Sequence, residues 1–380
     1  MEIIAFYLPQ FHEIPENDAW WGRGFTEWTS VTKSKPLFPG HNQPRVPLHG
    51  NYYNLLDKKV MEWQAGLARK AGVTGFCFYH YWFNGRQLLE KPVDNYLKWK
   101  DIPQRYCLSW ANESWIRTWS NMEGNDWNEA ADRNMDRKGP DVLMKQSYGV
   151  RADWEKHFYY LLPFFRDERY ILYDGKPVFL IHKAAKIKCL NAMLECWNGL
   201  AKQNGLPGIY ILATNCDARL SKYVDGRVMF EPNYTLYHEK VAYYRKRDRF
   251  LEWVGKKTGF NLVKHYSYDV VWQRIVGRSL KNARYQYFRG GFVDFDASPR
   301  RGRNAKVFFG VRPSKFEKYL RQLLKQEKEM LFINAWNEWA EGAYLEPDGK
   351  WGYGFLKAVK RAGTEISKAG NSRRDTYGHE

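Results

Sequence analysis

The chain has 380 residues, which is enough to bury a large core, either in one α/β barrel with insertions or in two domains. Its formal net charge of +18 favours an anionic partner. No arginine-rich repeat, zinc finger or RNA-binding signature accompanies this charge, so the sequence argues against a nucleic-acid partner.

Aromatic residues make up 17% of the chain, with 17 Trp and 26 Tyr. Indole and phenol rings stack on the C–H faces of sugars and carry donors for sugar hydroxyls, so this content favours a carbohydrate ligand. An aromatic-rich core is the alternative, and we expect it to account for about half of these residues. No uninterrupted apolar window approaches eighteen residues, so we predict no membrane-spanning helix.

The first predicted strand, 3–8, begins almost at the start of the chain, with no charged leader or cleavage site before it. If Met1 is the native first residue, we predict a cytoplasmic protein. The five cysteines form no CxxC pair and are expected to be reduced thiols. P-loop, dinucleotide and nucleophile-elbow motifs are absent from the sequence, so we expect no cofactor and no metal.

Short apolar runs alternate with helical patterns along the chain, as is typical of βα units. A helix over 57–71 illustrates the connections, because apolar residues repeat on one face and Gly72 follows. We predict a single (β/α)8 barrel over 1–369 and a flexible tail over 370–380. The active site of such a barrel lies at the C-terminal ends of the strands. The eight candidate strands are 3–8, 73–80, 105–110, 177–182, 208–214, 227–231, 290–295 and 330–336.

The loop after the first strand, 9–52, is long and rich in Pro, Gly and Trp. Long structured loops on the functional face of a barrel shape binding clefts. His12, Glu27 and Trp28 are its candidate substrate-binding residues. Simple packing inside the protein is the alternative for His12.

Two further clusters follow predicted strands. The first lies in an aromatic run and contains His80 and Trp82. The second combines an acid, an amide, a guanidinium and an indole, which we interpret as ligands for sugar hydroxyls or for a charged group. The alternatives are a packed histidine at 80 and an ordinary helix pair of Glu113 with Arg117. The candidates in the second cluster are Trp110, Asn112, Glu113 and Arg117.

Residues 239–289 carry thirteen Lys and Arg against four Asp and Glu, a net charge of +9. We predict two or three inserted helices here, after strand six. The charge favours contact with an anionic membrane surface or a pyrophosphate, whereas solvated helix faces are the alternative. Glu231, just before this segment, is a weaker candidate for substrate binding.

The run 334–342 is the strongest candidate for chemistry. If the eighth strand gives way to a helical turn, Glu338 and Glu341 lie on one face with Cβ atoms roughly 5–6 Å apart. One carboxyl can then donate a proton at a glycosidic bond while the other accepts one.

The same run holds three further candidates for substrate binding: Trp336, Asn337 and Trp339. The indoles would stack on a sugar, and an apolar neighbour raises a carboxyl pKa. A solvated loop with two surface glutamates is one alternative. Metal binding with His12 or His80 is another, although no histidine-rich spacing supports it.

Six ordered motifs resemble the WbsX-like family of glycosyltransferases of surface-polysaccharide loci. The resemblance covers nearly the whole chain apart from 239–289 and the tail. That family is similar to the family-99 glycoside hydrolases, which are endo-acting α-mannosidases on a (β/α)8 barrel. The motifs are FYLPQFH at 6–12, DAWWG at 18–22, GFTEW at 24–28, YHYWF at 79–83, WANE at 110–113 and WNEWAEG at 336–342.

The hydrolases carry a Trp-Asn-Glu-Trp-x-Glu-Gly run, which the chain matches at 336–342. The resemblance implies that Glu338 takes the proton of a sugar 2-hydroxyl, which attacks the anomeric carbon and gives a 1,2-anhydro sugar. It implies that Glu341 is the acid on the leaving oxygen and then the base for the incoming water or hydroxyl, with retention. Ala340 stands where the hydrolases usually have His, which leaves the identity of the sugar open.

We therefore predict an enzyme that cleaves or transfers a glycosyl unit of a surface polysaccharide, such as O-antigen or capsule. Its partner would be an oligosaccharide or a lipid-linked glycan, and its place the cytoplasm or the inner face of the membrane. One alternative is a nucleotide-sugar-dependent glycosyltransferase, for which Asp294-Phe295-Asp296 is the near match to a DxD metal motif. Another is a non-catalytic glycan-binding barrel.

Overall fold

The computed structural model describes residues 1–116, 142–216, 220–281 and 283–375, with side chains up to residue 364. Its centre is a barrel of parallel strands, which confirms the predicted (β/α)8 architecture. The strands are β1 Glu2–Tyr7, β2 Gly75–Phe83, β3 Arg105–Trp110, β4 Lys176–Ile181, β5 Tyr210–Thr214, β6 Gly226–Val228, β7 in two halves, Gln286–Phe288 and Gly290–Phe292, and β8 Met330–Asn334.

Strand β7 closes the barrel because its halves pair with different neighbours. The first half is parallel to β6 and the second half is parallel to β8. Strand β8 pairs in turn with β1, with Glu2 beside Met330. Strands that are covered on both faces appear in the sequence as continuous apolar runs. Strand β2 is an example, because all nine of its residues are buried. The predicted strands 227–231 and 290–295 run past the observed ends of β6 and β7.

Helices cover the outside of the barrel and form part of its loops. The predicted helix at 57–71 begins after Asp57, whose side chain accepts the Lys59 N–H, and ends at Gly72 with φ 87°. The helices are α1 Pro15–Trp21, α2 Glu27–Lys33, α3 Lys58–Ala71, α4 Lys91–Lys98, α5 Arg151–Phe165, α6 Leu190–Gln203, α7 Asn233–His238, α8 Ala242–Thr258, α9 Tyr268–Gly277, α10 Ser298–Arg301, α11 Pro313–Gln326 and α12 Gly354–Asp375.

The basic segment 239–289 contains α8 and α9, which differ in role. In α9, the Trp272 ring stacks on Phe292 of β7 at 5.4 Å and on Tyr319 of α11 at 5.6 Å between centroids. This helix is therefore one of the barrel's own connections.

Helix α8 belongs to an addition outside that pattern. Tyr244 and Asp248 of α8 are buried against the short strand Lys264–Ser267. That strand pairs in parallel with Lys306–Phe309, which the sequence patterns did not reveal. The insertion predicted after strand six is thus α8 with this two-stranded sheet.

Much of the aromatic content serves the core, as expected. Eight of the Trp residues that the structure describes are buried, including Trp197 and Trp272, which have no exposed surface. Among the described residues, no helix combines the length and the apolar character needed to cross a membrane.

Gly290→Ala is expected to destabilise the barrel at its closing strand. A Cβ at this position would stand 1.8 Å from the Met229 carbonyl oxygen, a backbone atom that cannot turn away. We expect a loss of about 1–3 kcal/mol, measured from the denaturant midpoint. Gly199→Ala in α6 is the control, since a Cβ there meets nothing within 4 Å, and it should be neutral or stabilising. Equal midpoints for the two variants would contradict the close approach of β6 and β7.

Candidate active site

The segment after β8 is tied to the end of β1. Oδ1 of Asn337 accepts the Leu8 N–H at 2.7 Å, and its Nδ2 donates to the Leu8 carbonyl at 3.0 Å. The Trp336 N–H donates to the Phe6 carbonyl at 2.7 Å. Asn337, a predicted ligand, is thus fully used in fixing the backbone that carries Glu338.

Glu338 and Glu341 stand at the two ends of a tight turn. The short antiparallel pair Asn337–Glu338 and Ala343–Tyr344 flanks one turn of 3₁₀ helix. Gly342 closes the turn at φ 64°, a conformation that L side chains rarely adopt. Residues three apart nearly eclipse in a 3₁₀ helix, so both glutamates lie on the same side.

Both glutamates bind one guanidinium, that of Arg300. Its Nη1 lies 3.0 Å from Glu341 Oε1, and its Nη2 lies 3.3 Å from Glu338 Oε2. The same Nη2 is 2.8 Å from Oε1 of Glu27, in the long first loop. That oxygen also accepts the Ala340 N–H at 3.0 Å. We call Glu27, Glu338 and Glu341 with Arg300 the carboxylate cluster.

Burial decides the protonation of the cluster. Glu27, Glu338 and Glu341 are 2%, 5% and 8% exposed. Burial raises the pKa of Glu338 well above its ordinary value of 4.5; Arg300 opposes this shift and the two neighbouring carboxylates add to it. Burial also raises the pKa of Glu27. Among the described residues, the cluster therefore joins three carboxyl groups to one guanidinium, and burial favours the protonated forms of Glu27 and Glu338.

A narrow, largely apolar cleft leads to the cluster. It encloses about 20 Å³, room for about one water molecule. A larger cavity of about 320 Å³ lies beside the ends of β4 and β5, and none of the three glutamates lines it. We assign the candidate active site to the cluster because the cluster joins an acid to a base. The cleft is lined by Gln10, Trp21, Phe25, Glu27, Ser30, Trp115, Ile116, Leu143 and Arg300.

The family described as Glycosyltransferase WbsX matches residues 3–359, a span that includes the basic segment which the six motifs left out. The chain belongs to this family. The uncharacterized protein WxcX of Xanthomonas campestris pv. campestris is 33% identical over 373 residues, covering 95% of this chain and 49% of that protein. The chain therefore spans about half the length of the curated relatives it matches. Membership of the family indicates a carbohydrate-active enzyme.

Solved structures support the fold. The GH99 endo-alpha-mannosidase from Bacteroides thetaiotaomicron is similar with a TM-score of 0.56 and 13% identity, over 97% of this chain and 98% of that chain. A glycoside hydrolase-like protein is similar with a TM-score of 0.55 and 15% identity, over 95% and 93% of the two chains. At these identities the likeness establishes the shared barrel.

Two tyrosines of the aromatic strand β2 face the site, and the sequence analysis did not name either of them as a candidate. Side chains alternate across a strand. His80 points to the helix layer, with its Nε2 2.8 Å from His157 Nε2 on α5. Tyr79 and Tyr81 take the other side, where burial and the charge of Glu338 raise their pKa values. The structure therefore does not bring His80 to the cluster.

Trp82 and Trp110 also lie in the layer between the barrel and α5. The Trp82 ring stacks on His157 at 4.5 Å, and the Trp110 Nε1–H donates to the Trp82 carbonyl at 3.1 Å. Burial lowers the pKa of His80 to about 3, so this imidazole is neutral in its aromatic surroundings. These three predicted ligands serve packing.

Three other candidates have partners inside the protein. His12 is fully buried, its Nδ1 lies 3.0 Å from a backbone carbonyl, and burial lowers its pKa to about 4. The Trp28 Nε1–H donates to the Tyr53 carbonyl at 2.8 Å. Glu231 Oε1 lies 3.0 Å from Arg278 Nη1. The structure brings none of these three side chains to Arg300, although Trp28 directly follows Glu27.

The candidates after β3 lie near the larger cavity. Asn112 Oδ1 accepts the Lys183 N–H at 2.7 Å and so joins the ends of β3 and β4. Glu113 Oε1 lies 3.5 Å from Lys183 Nζ, and Lys183 lines that cavity. The prediction for Arg117 lies outside the described residues.

Trp336 and Trp339 pack beneath the turn that carries Glu338 and Glu341. They are 0% and 1% exposed, so the structure shows neither ring with an open face, and the stacking role stays a prediction. The Trp339 ring stacks on Tyr344 at 3.8 Å, and its Nε1–H donates to Glu346 Oε2 at 2.7 Å. Burial raises the pKa of Glu346 to about 7.

Arg300 is the residue that the sequence did not reveal. It lies in α10, in a run of four basic or small residues that carries no motif. Its position after the C-terminal end of β7 was the available hint. Its partners come from residues 27, 338 and 341, and only folding brings them together.

Glu338→Gln is expected to stabilise the protein at neutral pH. Because the folded pKa of Glu338 is raised, its contribution to stability is full below 4.5 and is lost as pH rises towards the folded pKa. The Gln side chain does not ionise, so the variant keeps its stability as the pH rises. We expect its thermal midpoint to exceed that of the wild type by roughly 1–3 °C at neutral pH and to match it in acid. Glu155→Gln, on the exposed side of α5, is the control. A lower midpoint for Glu338→Gln at neutral pH would contradict the buried proton.

Proposed function

We propose that the enzyme cleaves or transfers a glycosyl unit of a surface polysaccharide, such as O-antigen or capsule, or of its lipid-linked precursor, with retention of configuration. The observation that carries the proposal is the meeting of Glu338 and Glu341 at one buried guanidinium. Such a pair of neighbouring carboxyl groups can supply the acid and the base that glycosidic chemistry needs. Family membership and the barrel shared with an endo-alpha-mannosidase agree with it.

In the proposed reaction, Glu338 takes the proton of the sugar 2-hydroxyl and O2 attacks the anomeric carbon. Glu341 gives its proton to the leaving oxygen, so the first product is a 1,2-anhydro sugar with no bond to the enzyme. Glu341 then takes a proton from water or from an acceptor hydroxyl, which opens the anhydro ring, and Glu338 returns a proton to O2. The two inversions give retention.

Burial favours the protonated form of Glu338, so this carboxyl acts as the base only in its ionised form. A carboxylate with a raised pKa is a stronger base towards a hydroxyl once it is ionised. Arg300 binds both carboxylates and so holds their positions relative to each other. Glu27 binds the same cation and the Ala340 N–H, which makes it a positioning residue.

Glu338→Gln and Glu341→Gln are each expected to lower turnover of O-antigen or capsule fragments by about 10²–10⁴-fold. A glycosyl fluoride separates the roles, because fluoride leaves without a proton. It should restore turnover to Glu341→Gln and not to Glu338→Gln. A 2-deoxy substrate should not react with the wild type, since it lacks the attacking hydroxyl.

The control is Glu155→Gln, which should match the wild type, with folding checked by circular dichroism. Near-normal turnover in either active-site variant would defeat the assignment. Rescue of Glu338→Gln alone would reverse the two roles, and turnover of the 2-deoxy substrate would rule out participation of the 2-hydroxyl.

A nucleotide-sugar donor is the second candidate, favoured by the name of the family. Both carboxylates of the near-DxD run contact other side chains of the protein. Asp294 Oδ2 lies 2.8 Å from Arg45 Nη2, and Asp296 Oδ2 lies 2.9 Å from His41 Nε2. The Asp296 N–H donates to the Glu341 carbonyl at 2.6 Å, so these aspartates support the catalytic turn.

Calorimetric titration with nucleotide sugars and Mn²⁺ distinguishes the two candidates. We expect no metal-dependent binding, because the Arg45 guanidinium is already ion-paired with both aspartates. Tight binding that requires Mn²⁺ would favour the nucleotide-sugar donor.

The proposal places the reaction in the cytoplasm, peripheral at the inner face of a membrane. The basic segment 239–289, with its net charge of +9, would contact anionic lipid or the pyrophosphate of a lipid-linked glycan.

A further inference from the structure

Exposed aromatic rings gather around α8. Tyr243, Phe250 and Trp253 on this helix are 67%, 60% and 58% exposed, and Phe260 and Phe309 beside it are 51% and 55% exposed. Contiguous exposed apolar surface of this kind marks an interaction site. A partner that binds this surface must be compatible with the charges between the aromatic rings.

The rings of α8 share one face with lysines. Residues 243, 246, 250, 253 and 257 recur at intervals of three and four, which places three aromatic residues and two lysines on the same side. The opposite side is fixed to the protein through Asp248, which accepts from Lys240 at 2.8 Å and from the Tyr266 hydroxyl at 2.5 Å. The aromatic face is therefore held outward by a rigid attachment.

A groove of about 580 Å³ joins this face to its neighbours. Tyr243, Leu262 and Phe309 line it, together with Arg247 and Arg303. Apolar walls thus alternate with cations along one surface. We call the outer face of α8 with Phe260, Leu262 and Phe309 the α8 surface.

The charge that the α8 surface projects is positive. Helix α8 has six Lys and Arg against two Asp and Glu. Both acids are held by cations: Asp248 by Lys240, and Glu252 by Lys264 Nζ at 2.8 Å. A second copy of a chain with a net charge of +18 would be repelled here, whereas an anionic layer would be attracted. The exposed basic side chains are Arg245, Lys246, Arg249, Lys256 and Lys257.

We propose that the α8 surface docks on an anionic phospholipid bilayer. Aromatic rings settle at the level of the headgroups, and lysines and arginines lie against the lipid phosphates. This inference deepens the proposed function and rests on it for the lipid-linked substrate. It names the residues that hold the enzyme at the membrane.

A chain of contacts connects the groove beside α8 to the turn that carries Glu341. Phe38 of the groove stacks on His41 at 4.3 Å, and His41 binds Asp296, whose N–H donates to the Glu341 carbonyl. Docking therefore holds the carboxylate cluster near the headgroups, where a lipid-linked glycan presents its sugars.

Co-sedimentation of the full chain with vesicles tests the proposal. We expect binding to phosphatidylcholine vesicles that contain phosphatidylglycerol, weak binding to phosphatidylcholine alone, and loss at high salt. Lys246→Ala with Lys257→Ala should weaken binding about 25-fold. Phe250→Ser with Trp253→Ser should weaken it at least about tenfold.

Tyr243→Ser and Tyr159→Ser form a matched pair of exposed tyrosines, and only the first should weaken binding. Equal binding to both kinds of vesicle, or unchanged binding in the Phe250/Trp253 variant, would overturn the proposal. A sedimentation-equilibrium mass above one chain that this variant abolishes would assign the surface to a second copy instead. Glu338→Gln should bind vesicles like the wild type. Failure of the catalytic proposal therefore appears as unaltered turnover in Glu338→Gln, and failure of docking appears in the vesicle assay alone.

Discussion

The guanidinium of Arg300 is the interaction on which the site depends. It binds Glu27, Glu338 and Glu341, and burial favours the neutral forms of the first two. Burial disfavours the charge of Arg300 too, but the carboxylates raise its pKa above the ordinary value. The result is a buried cluster with more acids than cations.

The rest of the barrel mouth fixes the turn that presents this cluster. Asn337 joins the turn to β1, and Asp296 joins it to the loop after β7. Glu346 holds the Trp339 ring beneath it. A buried hydrogen-bonding group is costly to leave unpaired, so these contacts restrict the geometry of the turn. They therefore fix the positions of Glu338 and Glu341.

Aromatic residues serve different purposes in different places. Most of the strand and helix rings fill the core, as Trp272 does between β7 and α11. Tyr79 and Tyr81 face the carboxylate cluster, whereas Phe250 and Trp253 face outward on α8. Composition alone indicated a carbohydrate ligand, but the same ring serves core, site or surface according to which side of its strand or helix it occupies.

The sequence by itself indicated the barrel and the turn that carries Glu338 and Glu341. Apolar periodicity is local, so it located all eight strands, and the run 336–342 carried Glu338 and Glu341 within one short motif. What only the tertiary structure decided is which distant residues meet that pair. The order of the strands and the path of the loops bring Arg300 and Glu27 to the pair. Pairing of β2 with β1 and β3 decides which side chains of β2 face inward, so Tyr79 faces the site and His80 faces the helices. Contacts across the barrel mouth join residues that are up to hundreds of positions apart in the sequence, and a local sequence pattern does not show which of them meet.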